Sequence, residues 1–189
     1  MSQSIEIEYK NMLTKGEYEH LLCLLPYENK VIRHKNHYFD TKSFTLQHHR
    51  SALRIREANN QYTLTLKEPA EVGSLETKEA IDQASMIKWL NNQPTSTSII
   101  SKQFQSYNIT LKELKYFGFL TTKRTLYQVN SEIVIALDHS FYHDLDDYEL
   151  EVEGVREKDT KQFYQSLLKD YKIPQRTTKP KIRRFFENI

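Results

Sequence analysis

The chain has 189 residues, with 38% hydrophobic and 12% aromatic residues, enough to build a core and to exclude a disordered polypeptide. Lys and Arg number 27 against 25 Asp and Glu, a formal charge of +2. That near-balance excludes a duplex nucleic-acid binder of the wholly basic kind, so any anion site must come from local arrangement. The single Cys23, in the apolar run LLCLLP, excludes an internal disulfide and reads as a small buried hydrophobe in a reducing compartment. No stretch has the length of a membrane span and the N-terminus lacks a signal-peptide core, so a cytoplasmic protein without membrane contact is expected. Only four glycines occur, and none forms a phosphate-cradling loop, so side chains must hold any phosphate.

The first element is SIEIEYK, where Ile5, Ile7 and Tyr9 alternate with Glu6, Glu8 and Lys10, the period of a strand. TKGEYEHLLCLLP then reads as a short helix: Thr14 and Glu17 have capping-box spacing and Pro26 stops it. NHYFDT, SALRIRE and QYTLTLKE follow as strands, and a short strand is expected around Leu75 to Lys78. QASMIKWLNN, SIISKQFQSYN and TLKELKYF have helical spacing and form a helical insertion over about residues 82–117. Strands return in GFLTTKRTLYQV, EIVIALDHSFY and DYELEVEGV, and helices close the chain over about 157–189. No linker separates two parts, so one domain over residues 1–189 is expected, built as a mostly antiparallel sheet or barrel.

Sorting the strands by parity separates the charges. Arg54 and Arg56 oppose Leu53 and Ile55; Lys67 shares a face with Thr63 and Thr65; Glu149, Glu151 and Glu153 oppose Leu150 and Val152; Asp138 opposes Ile135 and Leu137. Like charges about 4 Å apart cost on the order of 4 kcal/mol at an effective dielectric of about 20, and about a quarter of that in open water. A solvated charged face therefore stays open as a reading. Segregation by strand is better explained by a bound partner: carboxylates suit Mg²⁺ or Mn²⁺, and alternate arginines suit phosphate oxygens. Together they suit a metal-bound polyphosphate. No zinc motif is present, and His20, His34, His48 and His49 are expected at the surface.

The ordered series EIEYK, YFDT, LRIR, TLTLK, LETK, TTKRT, LDHSFY, YELEVE and KPKIRRFF resembles the CYTH domain, the triphosphate tunnel metalloenzyme superfamily, along nearly the whole chain. That superfamily includes thiamine triphosphatase, inorganic triphosphatases and class IV adenylyl cyclases, and small Firmicutes proteins are similar to this chain. The resemblance implies an α+β fold: a closed eight-stranded antiparallel β-barrel with a charged tunnel and helices packed outside. It implies metal binding by Glu6, Glu8, Asp138, Glu149 and Glu151, with Mg²⁺ or Mn²⁺ as cofactor. Lys10, Arg54, Arg56, Lys67, Arg124, Lys181 and Arg184 would hold phosphate, and Lys10, Arg54, Arg56 and Glu76 are the catalytic candidates. Arg124 is preferred to Lys123 because the family motif places Arg before the small residue; the resemblance implies for Glu76 a metal-side or a water-orienting role, and Glu153 has the parity of the tunnel face, with a place at the tunnel mouth as the alternative. The implied activity is metal-dependent hydrolysis of a small-molecule triphosphate. Cyclisation of ATP and triphosphate binding without turnover are the alternatives, and the protein is expected as a monomer or a homodimer.

Overall fold

The computed structural model describes residues 2–95 and 100–188, without the side chains of 100–102. Eight strands form a closed barrel in the order β1-β5-β4-β3-β2-β6-β7-β8, with antiparallel pairing of β1 with β8, β2 with β3, β3 with β4, β4 with β5, β6 with β7 and β7 with β8. In chain order the elements are β1 (Ser2–Leu13), α1 (Lys15–Leu24), β2 (Asn29–Thr41), α2 (Thr45–His48), β3 (Ala52–Ala58), β4 (Gln61–Pro69) and β5 (Ser74–Ile81). Then come α3 (Gln83–Leu90), α4 (Ile100–Ser106), a 3₁₀ turn (Leu111–Glu113), β6 (Leu114–Gln128), β7 (Ile133–Tyr142), β8 (Leu145–Gly154), α5 (Glu157–Asp170) and α6 (Lys181–Phe186). The chain groups into two compact units, Met1–Ile5 with His34–Leu120, and Glu6–Arg33 with Thr121–Ile189.

In the first unit the apolar alternates of β3 and β4 carry the core. Leu53, Ile55, Leu64 and Leu66 are fully buried and pack with Phe39, Trp89 and Phe104, so these faces lie under the helices. Each such side chain contributes about 1.5–3 kcal/mol of burial. Strand alternation then turns Arg54, Arg56 and Lys67 to the opposite face, into the barrel. The β3–β4 register is fixed by a two-residue turn in which Asn59 and Asn60 both have positive φ, 50° and 59°. Asn tolerates that backbone region, and the turn matches the twist of the strands.

The second unit repeats the logic. Ile135, Leu137, Leu150 and Val152 are fully buried against Leu21, Tyr164, Leu167 and Leu168 of α1 and α5. Asp138, Glu149, Glu151 and Glu153 fall on the other face. The expected capping box at α1 is present: Thr14 Oγ1 accepts from Glu17 N, and Glu17 Oε2 accepts from Thr14 N at 2.8 Å.

Three expectations are corrected. TLKELKYF is not a helix: its capping box, Thr110 with Glu113, supports a single 3₁₀ turn, and β6 begins at Leu114. Leu114 and Tyr116 alternate into the core with the period of a strand, and that pairing outweighs the local helical spacing. Cys23 is exposed, because the buried stripe of α1 runs through Tyr18 and Leu21 to Leu25 and leaves position 23 outside it. His34 is buried rather than at the surface, because β2 is longer than NHYFDT and carries it inside. The helical reading of SIISKQFQSYN is met by α4; its Ser98 and Ile99 lie outside the described residues.

Candidate active site

The acidic strands of the second unit meet in register. Across β1 and β8, Glu8 faces Glu153, Lys10 faces Glu151 and Met12 faces Glu149; across β6 and β7, Arg124 faces Asp138, which in turn faces Glu149 on β8. Two carboxylate groups result, each with ligand atoms within 4.8 Å of one another: Glu6, Glu8 and Glu153, and the fully buried Asp138, Glu149 and Glu151.

The buried trio is already clothed in protein cations. Arg124 forks onto Asp138 with two bonds of 2.7 Å, and its Nη2 donates to Glu151 at 2.5 Å while Nη1 donates to Glu153 at 3.1 Å. Lys10 Nζ lies 3.0 Å from Glu151 and 2.9 Å from Glu8. Lys181 Nζ reaches Asp138 at 2.7 Å and Glu149 at 2.6 Å, and also contacts Glu151. Arg184 Nη1 donates to Glu149 at 2.5 Å, and its Nε lies 2.9 Å from Asp147. Burial alone would raise the Glu151 carboxyl, but Arg124, Lys10 and Lys181 hold it well below the usual range. Asp138 is lowered in the same way, against burial, by Lys181 and Arg124. Glu149 goes the other way, raised by burial and by the nearby Glu151 charge. Burial works against the charge of Lys10, but Glu151, Glu8 and Glu149 outweigh it and hold the ammonium well above its ordinary value. Leaving one of the fully buried carboxylates without its partners would cost several kcal/mol, on the order of 3–5.

The Glu6, Glu8 and Glu153 group is half-buried and shares its cations with the trio. Burial, and then the charges of Glu151, Glu6 and Glu8, raise the Glu153 carboxyl in spite of Arg124. Three oxygen donors gathered while still repelling one another fit a hard cation, which prefers carboxylate oxygen and removes that repulsion. The family resemblance groups Glu6 and Glu8 with Asp138, Glu149 and Glu151 as metal ligands; here the ligand atoms of Glu6 and Glu8 gather with Glu153, which faces Glu8 across β1 and β8. The parity of YELEVE was the available signal, and strand register decided which of its three glutamates meets β1.

The first unit holds the basic residues. Arg54 Nη2 donates to Glu76 at 3.2 Å, Arg56 Nε donates to Asn36 Oδ1 at 3.1 Å, and Lys67 faces Glu76 across β4 and β5. Lys78 Nζ sits 2.6 Å from Glu76, which is 1% exposed. Burial would raise Glu76, but Arg54, Lys78 and Lys67 outweigh it and the carboxyl is lowered. Glu76 thus acts as the common anchor of Arg54 and Lys78. Lys78 and Asn36 were not singled out from the sequence; Lys78 has the parity signal, two residues after Glu76 in LETK, and Asn36 has none. Cations outnumber carboxylates around Glu76, the composition of an anion site.

Comparison with known proteins agrees with this geometry. The chain matches the family model of the CYTH domain over residues 4–186. The chain belongs to the CYTH domain family. A Bacillus subtilis protein named "Putative triphosphatase YjbK" is 42% identical to this CYTH chain over 188 residues, covering 99% of it and 97% of the relative. A Bacillus halodurans crystal structure, described as "a putative adenylate cyclase", is 34% identical with a TM-score of 0.91, covering 98% of this chain and 100% of that one. The Hippeastrum protein HpAC1 shares the CYTH fold at a TM-score of 0.80 and 24% identity, over 97% and 96% of the two chains. Among the described residues no helix is long and apolar enough to cross a membrane.

Proposed function

We propose that this chain hydrolyses a small-molecule triphosphate with the help of Mg²⁺ or Mn²⁺. The observation that carries the reading is the gathering of Glu6, Glu8 and Glu153 beside cations held in place by buried carboxylates. The family match over residues 4–186 and the 42% identical relative named for a triphosphatase support it, and support treating the whole chain as one functional unit.

Glu6, Glu8 and Glu153 are assigned to the metal, which would supply charge neutralisation and a more acidic bound water. Asp138, Glu149 and Glu151, expected from the family resemblance as further ligands, serve in this reading to hold Arg124, Lys10, Lys181 and Arg184 at fixed positions. Arg54, Arg56 and Lys67 are assigned to phosphate oxygens, with Glu76 orienting Arg54. Phosphoryl transfer is catalysed mostly by positioning and by neutralising charge that builds up in the transition state. The cations do both. Water attacks the terminal phosphorus, the anhydride P–O bond breaks, and the remaining diphosphate leaves with the bonding electron pair while the water proton is lost to solvent. Fixed cations lower this barrier because their reorientation is complete before the reaction begins.

Phosphate release from tripolyphosphate, ATP and thiamine triphosphate, each with Mg²⁺ or Mn²⁺, tests the reading. Release is expected from at least one of them and is expected to fall with Glu6→Gln and with Arg54→Ala. Full activity in both variants sinks the assignment.

A second reading, cyclisation of ATP by its ribose 3′-hydroxyl, is favoured by the description of the 34% identical Bacillus halodurans structure. It uses the same metal and phosphate contacts with a different nucleophile. Chromatography of the ATP reaction separates cyclic AMP from ADP and decides between them.

A further inference from the structure

Helix α6 brings Lys181 and Arg184 to the buried carboxylates, yet it has only six residues. A helix that short has little stability of its own, and no side chain caps its N-terminus at Pro180. Its position must be set from outside. Between the end of α5 and Lys181 the chain runs through residues 173–180 without regular structure, so no strand ladder or helix holds it.

One residue of that stretch is tied down heavily. Arg176 grips Glu17 with both ends of its guanidinium, Nη1 at 2.7 Å and Nη2 at 2.9 Å. Its Nη1 also donates to the Met12 carbonyl at 3.0 Å, and its backbone N–H donates to Asn11 Oδ1 at 2.6 Å. Asn11, with no exposed surface, donates in turn to the Pro174 carbonyl at 3.0 Å. Glu17 is itself fixed, because the same carboxylate closes the capping box of α1. Bidentate charge-assisted pairs of this kind specify geometry as well as energy.

The clasp reads the same strand as the acidic cluster. On β1, Lys10 points at Glu151 while its neighbour Asn11 points to the other face and holds the backbone of the strap. Arg176 stands five residues before Lys181, with Pro180 fixing one φ angle on the way. Beyond the clasp, α6 is met at its far end by His143, stacked on Phe185 at 4.9 Å.

We propose that Arg176 is a positioning residue: clasped by Glu17 and Asn11, it registers the strap on β1 so that α6 seats Lys181 and Arg184 on Asp138, Glu149 and Glu151. Arg176 touches none of those carboxylates. Its consequence for turnover rests on the triphosphatase reading; the seating of Lys181 does not.

The test is competitive acylation of lysines by an N-hydroxysuccinimide ester of acetic acid, followed by peptide mass spectrometry, on wild type, Arg176→Ala, Arg176→Lys and Glu17→Gln. In wild type Lys181 is shielded. In Arg176→Ala its rate, taken relative to Lys10, is expected to rise roughly tenfold, the scale of losing a charge-assisted pair. Arg176→Lys, which keeps one contact with Glu17, is expected to fall between the two. Glu17→Gln breaks the clasp from the other side and gives the same direction should Arg176→Ala not fold. An unchanged Lys181-to-Lys10 ratio in the folded variants overturns the proposal, as does an equal rise at both lysines, which a general loosening would give. In parallel, KM for tripolyphosphate is expected to rise about tenfold in Arg176→Ala and to change little when Lys181→Ala is already present. Additive effects in that cycle overturn the coupling. Absence of hydrolysis in wild type removes the triphosphatase reading and leaves the labelling ratio to decide the clasp.

Discussion

The ammonium of Lys10 lies 3.0 Å from Glu151, its partner across the β1–β8 pairing, and 2.9 Å from Glu8, two residues back on its own strand. One cation thereby joins the buried carboxylate trio to the group assigned to the metal. Lys10→Met is expected to lower stability by about 1–3 kcal/mol, less than a fully buried pair because Lys10 keeps 24% of its side-chain surface. Thermal unfolding checks the stability, and kcat/KM for tripolyphosphate is expected to fall at least tenfold.

Glu153 and Glu151 are two residues apart on one face of β8 and share Arg124, but Glu151 also meets Lys10 and Lys181, whereas Glu153 gathers with Glu6 and Glu8. Glu153→Gln is expected to weaken Mn²⁺ binding at least tenfold in an isothermal titration, because it removes a charged donor from the half-buried group. Glu151→Gln instead strips a partner from Arg124, Lys10 and Lys181, so its larger effect should be on folding. The two variants exchanging these phenotypes would refute the division of roles.

Arg54→Ala leaves the buried Glu76 to Lys78, 2.6 Å away, and to Lys67, which faces it across β4 and β5. Stability is expected to fall by about 1–3 kcal/mol, and the double variant Arg54→Ala with Glu76→Ala is expected to lose less than the sum of its parts. Urea titrations of the four proteins in this cycle measure the coupling. Strict additivity would mean that Glu76 does not anchor Arg54.

His37 gives a pH dependence. It is buried between the Tyr116 hydroxyl at 3.0 Å and the Glu57 carboxylate at 3.2 Å, with Lys35 also near. Burial lowers its pKa from 6.5, Lys35 adds to that, and Glu57 opposes both. A lowered folded value means that the unfolded chain takes up the proton first as pH falls. The contribution of His37 is therefore complete above 6.5 and is lost as pH drops through the lowered folded value. The melting temperature is expected to fall between about pH 7.5 and about pH 5.5, and His37→Gln is expected to flatten that part of the profile. An unchanged slope in the variant counts against this account.

Gly154, at the end of β8, has no room for a side chain: a Cβ there would lie 2.0 Å from Thr160 Oγ1. That hydroxyl is engaged, donating to the Arg156 carbonyl at 2.6 Å in the first turn of α5. Gly154→Ala is expected to cost about 1–3 kcal/mol through forced displacement of α5, visible as a lower urea midpoint.

Much of this site was legible in the alternation of strands. LRIR, TLTLK and YELEVE each placed charge on one face and aliphatic residues on the other, and the aliphatic faces are the ones under the helices. TLKELKYF failed because helical spacing over eight residues is a weak local signal beside the pairing energy of a long strand, β6. Cys23 failed because an apolar run does not say which of its residues the helix turns outward. Asn36 went unnoticed because it matters through one neighbour on another strand, Arg56, and Lys78 because its partner Glu76, two residues back on β5, takes its meaning from Arg54 on β3.

The order of residues by itself determined which side of each strand is charged, because side-chain direction in a strand has a period of two whatever its neighbours are. It also carried the ordered motifs of the CYTH family. Which glutamates share a cation was decided by the tertiary structure alone. Register is a property of two strands, set by packing and by turns, and it paired Glu8 with Glu153 and Lys10 with Glu151. The same holds for Arg176, whose meaning lies 159 residues away at Glu17. A contact of that span exists only once the chain has closed around it.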